Sequence, residues 1–389
     1  MTFINPDINF IRAIKKDCDS ELSTCMQCGS CSAICDLSPE TDPFPRKEMI
    51  WASWGLKDKL LGDPDIWLCF QCGDCTATCP RGVKPGDVLS SIRYFMYSHY
   101  AQPGIFTKIL GNPKYILLVI AFPVIIISAI MLIAGTFQIP EGNVDYSKFF
   151  PHAWLNISFM FFVLLIMLGV IRGIKKFWSD MKRNKPGKDK KPNFVNCFLI
   201  ALKDILFHNK FRKCETHYYR YSAHLLVFWG FVMLLVVTFF AILSTIFFEY
   251  PLTFWHPVKI TANVAAVFLL IGCAIMIYKR LINRDQKVKS NYADWFFLIS
   301  FFLLTISGVL VEMARFQNWM LAYHIYFIHL VLVWIVIMYA PYTKFAHFIY
   351  RTIAMVYAEL TGRYEINPDI NPDRVQNPVG VEKNSCNGN

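Results

Sequence analysis

Charge is scarce in this sequence and unevenly placed. Asp, Glu, Lys and Arg make up 17% of the 389 residues, while 55% are hydrophobic, and the mean hydropathy is +0.36. Long apolar runs dominate beyond Pro113, which excludes an ordinary soluble protein. The glycine-rich dinucleotide fingerprint is missing, so flavin or nicotinamide chemistry is expected on another chain. Acids are nearly absent from the apolar runs, Asp294 and Glu312 standing close to their ends. A transporter would show midplane acids and interrupted helices, and a redox sensor would show an output domain; neither is visible. Met1–Arg12 has neither a basic start nor an apolar core, so no cleavable leader is expected. The net charge of +11 does not point to nucleic acid, because the excess Lys and Arg lies in short segments between apolar runs, as in membrane proteins.

Six stretches approach the roughly 20 apolar residues that cross a bilayer as a helix: Tyr115–Phe137, Trp154–Ile171, Ser222–Phe248, Val258–Tyr278, Tyr292–Ala314 and Leu321–Tyr342. Arg172–Lys191 reads as a basic loop with nine Lys and Arg, and Lys279–Lys289 as one with five; the opposite loops, Gln138–His152 and Glu249–Pro257, hold one and none. This asymmetry predicts both termini on the cytoplasmic side of the cell membrane. Trp154, Trp255, Trp295 and Trp319 stand where interfacial anchors belong.

The thirteen cysteines could suggest a secreted disulfide framework, but eight fall in two runs, CMQCGSCSAIC from Cys25 and CFQCGDCTATCP from Cys69. Both are C-x2-C-x2-C-x3-C, the spacing of paired [4Fe–4S] clusters, in which the fourth cysteine of each run serves the other cluster. The expected ligand sets are Cys25, Cys28, Cys31 with Cys79, and Cys69, Cys72, Cys75 with Cys35. Zinc sites and disulfides fit this four-cysteine spacing poorly. The segment between the runs, including FPRKEMIWASWGLKDKLL, has helical periodicity and few β-branched residues, so the fold class is all-α: a helical ferredoxin-like domain followed by a six-helix transmembrane bundle. Cys18, Cys197, Cys214, Cys273 and Cys386 read as plain thiols. The expected organisation is 1–105 for the cluster domain, 106–200 for two spans and the basic loop, 201–360 for four further spans, and 361–389 for a polar, proline-rich tail.

A membrane domain that exchanges single electrons with clusters is expected to hold haem between its helices. His224 opens the third span and His347 closes the sixth, so they match in depth and are expected to clasp one haem. His329 precedes His347 by 18 residues, five turns, or about 27 Å on a straight helix, which would put a second haem ligand near the far side; Pro341 can kink that helix. Its partner is left open between His256 and His152, with His256 preferred; His324 projects elsewhere. Lys259, a charge beside an apolar span, is a candidate quinone contact or an ordinary snorkelling lysine.

RYSAHLLVFWGF (220–231), WHPVK (255–259) and the His329/His347 pair resemble the cytochrome b gamma-subunit family of respiratory nitrate reductases. The first 100 residues resemble the C subunit of heterodisulfide reductase. The order of the two parts, with PFPRKEMIWASWGLKDKL and DIWLC, resembles the membrane subunits of quinone-modifying oxidoreductases from sulfur-metabolising bacteria. That resemblance implies two haem b groups, a menaquinone site, soluble flavin- and iron–sulfur-containing partner subunits, and adenylylsulfate reductase as eventual redox partner. The nitrate reductase family carries a second histidine ten residues into its equivalent of the third span; here that position is Leu234. The expected function is an electron conduit between quinone and a cytoplasmic partner.

Overall fold

The structure is a computed structural model and describes residues 5–18, 22–39, 42–184, 193–208, 218–247, 252–282 and 290–363. The readings on Cys214, Cys386 and most of the tail fall outside these residues. Among the described residues there are helices and no strand. The first hundred residues hold α1 (Ile8–Asp17), α2 (Ser30–Ala33), α3 (Arg46–Ser53), α4 (Lys57–Leu61), α5 (Asp65–Leu68), α6 (Asp74–Ala77) and α7 (Pro85–Tyr100). There follow α8 (Ile105–Leu110), α9 (Ile116–Ile133), α10 (Tyr146–Phe149), α11 (His152–Asn184), α12 (Phe194–Phe207), α13 (Tyr218–Phe247), α14 (Pro257–Ile282), α15 (Tyr292–Phe316), α16 (Ala322–Met338) and α17 (Ala346–Leu360). Five of them, α9, α11, α13, α14 and α15, are long and apolar enough to cross a membrane, and α16 is an apolar helix of 17 residues.

Two sequence expectations are corrected. Arg172–Lys191 is not a loop through its length: α11 runs unbroken to Asn184. Thirty-three residues span about 50 Å against a hydrocarbon core of about 30 Å, so one end of α11 projects beyond the apolar layer. There it buries Phe177 and Met181 completely. The basic residues lie on the rest of that helical surface, which is why their charge looked like a loop. The last expected span also does not continue to His347. It ends at Met338, a short 3-10 turn at Ala340–Tyr342 carries Pro341, and α17 begins afresh at Ala346. Proline lacks the amide proton and clashes with the preceding turn, so the straight five-turn register between His329 and His347 does not exist.

The projecting end of α11 joins α17 and α12 in the core of the first hundred residues. Phe10, Ile14, Met49, Leu60, Trp67, Leu89 and Met96 share one apolar cluster with Phe177 and Met181 of α11, Ala201 of α12 and Tyr350, Ala354 and Met355 of α17. Trp67 packs on Tyr350 with ring centres 5.1 Å apart. The Tyr100 hydroxyl lies 2.9 Å from the Leu61 carbonyl and 3.0 Å from the Asp180 carboxylate, and Asn184 donates to the Asp58 carbonyl at 2.7 Å. Gly173 makes this approach possible, since a Cβ there would stand 2.7 Å from the Tyr100 carbonyl oxygen. The cysteine-bearing domain is therefore fixed to the helical bundle through shared apolar packing rather than hung on a tether.

Beneath it lies a buried charge cluster. The Lys47 ammonium is 2.9 Å from Asp42, 3.1 Å from Glu48 and 3.5 Å from Asp63, and also pairs with Asp65. Arg363, just beyond α17, reaches Asp65 at 2.7 Å, a further tie between the two halves. Oxygens of Glu48, Asp63 and Asp65 lie within 4.8 Å of one another, the spacing of a cation site, and the Lys47 ammonium takes the cation's position. Burial, reinforced by Asp63, pushes the Glu48 carboxyl well above its usual range despite Lys47. A raised carboxyl costs stability as pH climbs past the ordinary glutamate value, where the unfolded chain ionises and the folded one does not. Glu48→Gln, which stays neutral, is accordingly expected to be more stable relative to the parent chain at pH 7 than at about pH 5 and to flatten the decline above about pH 5. Lys47→Met leaves buried acids without their cation and is expected to lose about 3–5 kcal/mol. Denaturant unfolding of the purified chain at several pH values checks both.

Candidate iron–sulfur and histidine sites

The two cysteine runs fold alike because they share the pattern C-x-Gln-C-Gly-x-C. Gln27 and Gln71 both have φ of 57°, and Gly29 and Gly73 have φ of 86° and 89°. This left-handed pair, costly for glutamine and free for glycine, curls each run so that its sulfurs face inward. A one-turn helix, α2 or α6, follows each glycine. The Gln71 amide donates to the Cys69 sulfur and the Gln27 side chain to the Cys25 sulfur, both at 3.3 Å.

The tertiary fold crosses the runs. Cys79 lines one cavity together with Cys25, Cys28 and Cys31. Cys35 belongs with the second group: burial pushes its thiol up to about 12, and the adjoining Cys69 and Cys72 add to the shift. The Cys75 thiol is raised by burial and then by Cys69, Cys72 and Cys35. Four thiols gathered in each place are the donor set that suits an iron–sulfur centre. Cys28 is exposed, with Met26 beside it 68% exposed, whereas Cys69 is buried. The first group thus faces outward and the second faces the helical bundle. Cys18, Cys197 and Cys273 are buried thiols outside both groups.

Of the membrane histidines, His224 and His347 come together, their ring centres 6.3 Å apart. The Nδ1 of His347 donates to the Lys344 carbonyl at 2.7 Å. The Nδ1 of His224 lies 3.0 Å from Nε2 of His208. In both rings Nδ1 is engaged, which makes Nε2 the atom that would meet a ligand. His208 was not anticipated from sequence. It ends α12 in a left-handed conformation, φ 53°, with its ring against His224 of α13. Lys344 is held in turn by Asp294 at 2.9 Å. Close packing of α13 on α14 supports the site, because a Cβ on Gly272 would stand 2.9 Å from the carbonyl of Ala223, the neighbour of His224.

His329 stands apart on α16. Its Nδ1 is 2.9 Å from the Ser307 hydroxyl of α15, and Gly308 leaves room beside the ring, a Cβ there coming within 3.3 Å of it. His256 accepts the Val258 amide at 3.3 Å and so caps the start of α14. His324 is exposed. Lys259 pairs with Glu312 at 3.2 Å across α14 and α15, so the two isolated charges of the sequence are partners in the fold.

Residues 21–83 match the model of the 4Fe-4S dicluster domain family. The chain is 41% identical over 81 residues to a protein of Archaeoglobus profundus described as like the C subunit of heterodisulfide reductase, covering 21% of this chain and 43% of that protein. It is 30% identical over 149 residues to the E subunit of the dihydromethanophenazine:CoB–CoM heterodisulfide reductase of Methanosarcina thermophila, covering 36% and 54%. Over a longer stretch of 290 residues it is 25% identical to citrate utilization protein B of Escherichia coli, covering 69% and 73%. The matches to heterodisulfide reductase subunits span about half of those proteins' lengths. No solved structure matches. The chain therefore carries a two-cluster iron–sulfur domain, with sites for two [4Fe–4S] clusters, on a set of membrane-length helices, and is related to heterodisulfide reductase subunits.

Proposed function

We propose that this chain is the membrane-anchoring electron-transfer subunit of a quinone-linked oxidoreductase, a multi-pass protein whose six apolar helices cross the cell membrane. The observation that carries the reading is the His224/His347 pair beneath the second cysteine group. A spacing of 6.3 Å between ring centres suits two imidazoles on one metal, each nitrogen about 2 Å from it. With both Nδ1 atoms engaged, the pair is prepared to hold a haem b through Nε2. When bound, haem and the two [4Fe–4S] clusters supply a chain of one-electron carriers.

The residues of this chain bind and orient those groups. Cys69, Cys72, Cys75 and Cys35 hold the inner cluster beside α17; Cys25, Cys28, Cys31 and Cys79 hold the outer one near the surface, where a soluble partner subunit docks. Flavin- and iron–sulfur-containing partners are expected, with menaquinone as membrane substrate and adenylylsulfate reductase as a downstream redox partner. A relative named for dihydromethanophenazine and a heterodisulfide supports pairing a reduced carrier with a partner of this kind. His329, steered by Ser307, is the candidate ligand of a second haem towards the far end of the bundle, and His256 remains its proposed partner.

A visible spectrum of the anaerobically purified, dithionite-reduced protein tests the reading. Sharp b-type haem bands are expected, and their absence from protein with full cluster content would remove the haem half. Lys259, beside Glu312, is placed to donate to a quinone carbonyl while the carboxylate passes a proton. Lys259→Ala is expected to slow haem reduction by a menaquinol analogue at least tenfold without loss of haem. Unchanged reduction would rule out a quinone site there.

A further inference from the structure

The two helices that carry the histidine pair each send an arginine to the inner cysteine loop. Arg220 stands four residues before His224 on α13, and Arg351 four residues after His347 on α17; at 3.6 residues per turn each shares a helix face with its histidine. The Arg220 guanidinium donates to the Gln71 carbonyl at 2.9 Å. The Arg351 guanidinium donates to the carbonyls of Trp67 at 3.0 Å and Cys69 at 3.2 Å, and lies over the Phe70 ring, 4.4 Å from its centre. Arg93 of α7 adds a donor to the Cys69 carbonyl at 3.3 Å. Among the described residues no hydrogen bond from α13 or α17 reaches Cys25–Cys31.

We propose that Arg220 and Arg351 are positioning residues that clamp the Cys69–Cys75 loop onto the histidine pair and hold the midpoint potential of the inner cluster above its unclamped value. The inference rests on the cysteine grouping and histidine pairing proposed above. Four thiolates around an iron–sulfur cube carry net negative charge, and reduction adds one more. Two guanidinium groups on the loop's carbonyls favour the more negative, reduced state, and do so strongly in a half-buried setting where water screens poorly. The same bonds fix the distance between loop and histidines, since each arginine is one turn from its histidine. An arginine suits both tasks because it carries several N–H donors, so that one nitrogen of Arg351, Nη1, reaches two carbonyls at once, and because it stays charged at all working pH.

The test uses the full chain, purified anaerobically with both clusters, and a redox titration followed by paramagnetic resonance. Arg351→Gln and Arg220→Gln are each expected to lower the potential of one cluster, shifting its oxidised-to-reduced ratio about tenfold, or about 59 mV for one electron. The other cluster keeps its potential. Arg351→Lys, which retains the charge, is expected to restore most of the shift. Loss of the inner cluster alone from a glutamine variant also supports the clamp. Unmoved potentials, equal shifts in both clusters, loss of both clusters, or a shift in the cluster that Cys79 serves would each overturn it. If the protein binds no haem but the selective shift appears, the clamp on the loop stands and the haem reading fails.

Discussion

Cys79→Ser is expected to abolish the cluster held by Cys25, Cys28 and Cys31 and to spare the one held by its sequence neighbours Cys69, Cys72 and Cys75. Cys79 shares a cavity with the first run, while Cys35 crowds the second. In the proposed arrangement each three-cysteine loop supplies three corners of its cube and borrows the fourth. The serine variant should contain about half the iron and labile sulfide of the parent chain, and show one cluster signal instead of two. Cys35→Ser should remove the other signal, the one that Arg351→Gln shifts. If Cys79→Ser instead removes the cluster of the Cys69 loop, crossing is wrong and each run closes on itself. The two variants also separate an outward cluster, beside exposed Cys28, from one packed against α17, and so establish which end of the relay a soluble partner meets.

His224→Ala and His347→Ala should each remove the same haem, and the double variant should remove no more than either alone. The ring centres lie 6.3 Å apart, the planes at 73°, on α13 and α17, with Nδ1 of each already bonded elsewhere. Losing one ring would leave the proposed haem a single axial ligand in place of two. His329→Ala should leave that haem untouched, because α16 ends before α17 begins and His329 is held against α15. Haem extracted per protein, with the reduced spectrum of each variant, reads the result. Different haems missing from the two alanine variants would break the pairing. Retention of a haem with altered spin state in His224→Ala alone would point to His208, 3.0 Å from His224, as a substitute ligand.

Several parts of this molecule were legible in the residue order because their causes are local. Cluster chemistry needs thiols at short fixed spacings, and the two runs state those spacings outright. The turn that makes them work is local too: glutamine then glycine, both left-handed, in each run. Apolar length forces a helix wherever lipid replaces water, so five membrane-length helices and α16 could be read directly. The scarcity of β-branched residues between the runs likewise foretold α3, α4 and α5 in place of strands.

Other parts depended on where distant residues meet. The charge run after Ile171 looked like a loop because nothing in its order shows that Phe177 and Met181 find a core on another domain. Asp294, Glu312 and Lys259 looked like isolated charges until Lys344 and one another appeared as partners. His208 is an undistinguished residue at a helix end, and only the tertiary fold shows that it meets His224. The sequence by itself determined the chemistry of the cysteines and the solvent of the helices, since both follow from side-chain type and spacing. Tertiary structure alone decided that Lys259 meets Glu312, that Lys344 meets Asp294, and that two arginines tie the histidine helices to the inner cysteine loop, because each of those contacts closes over scores to hundreds of residues of chain.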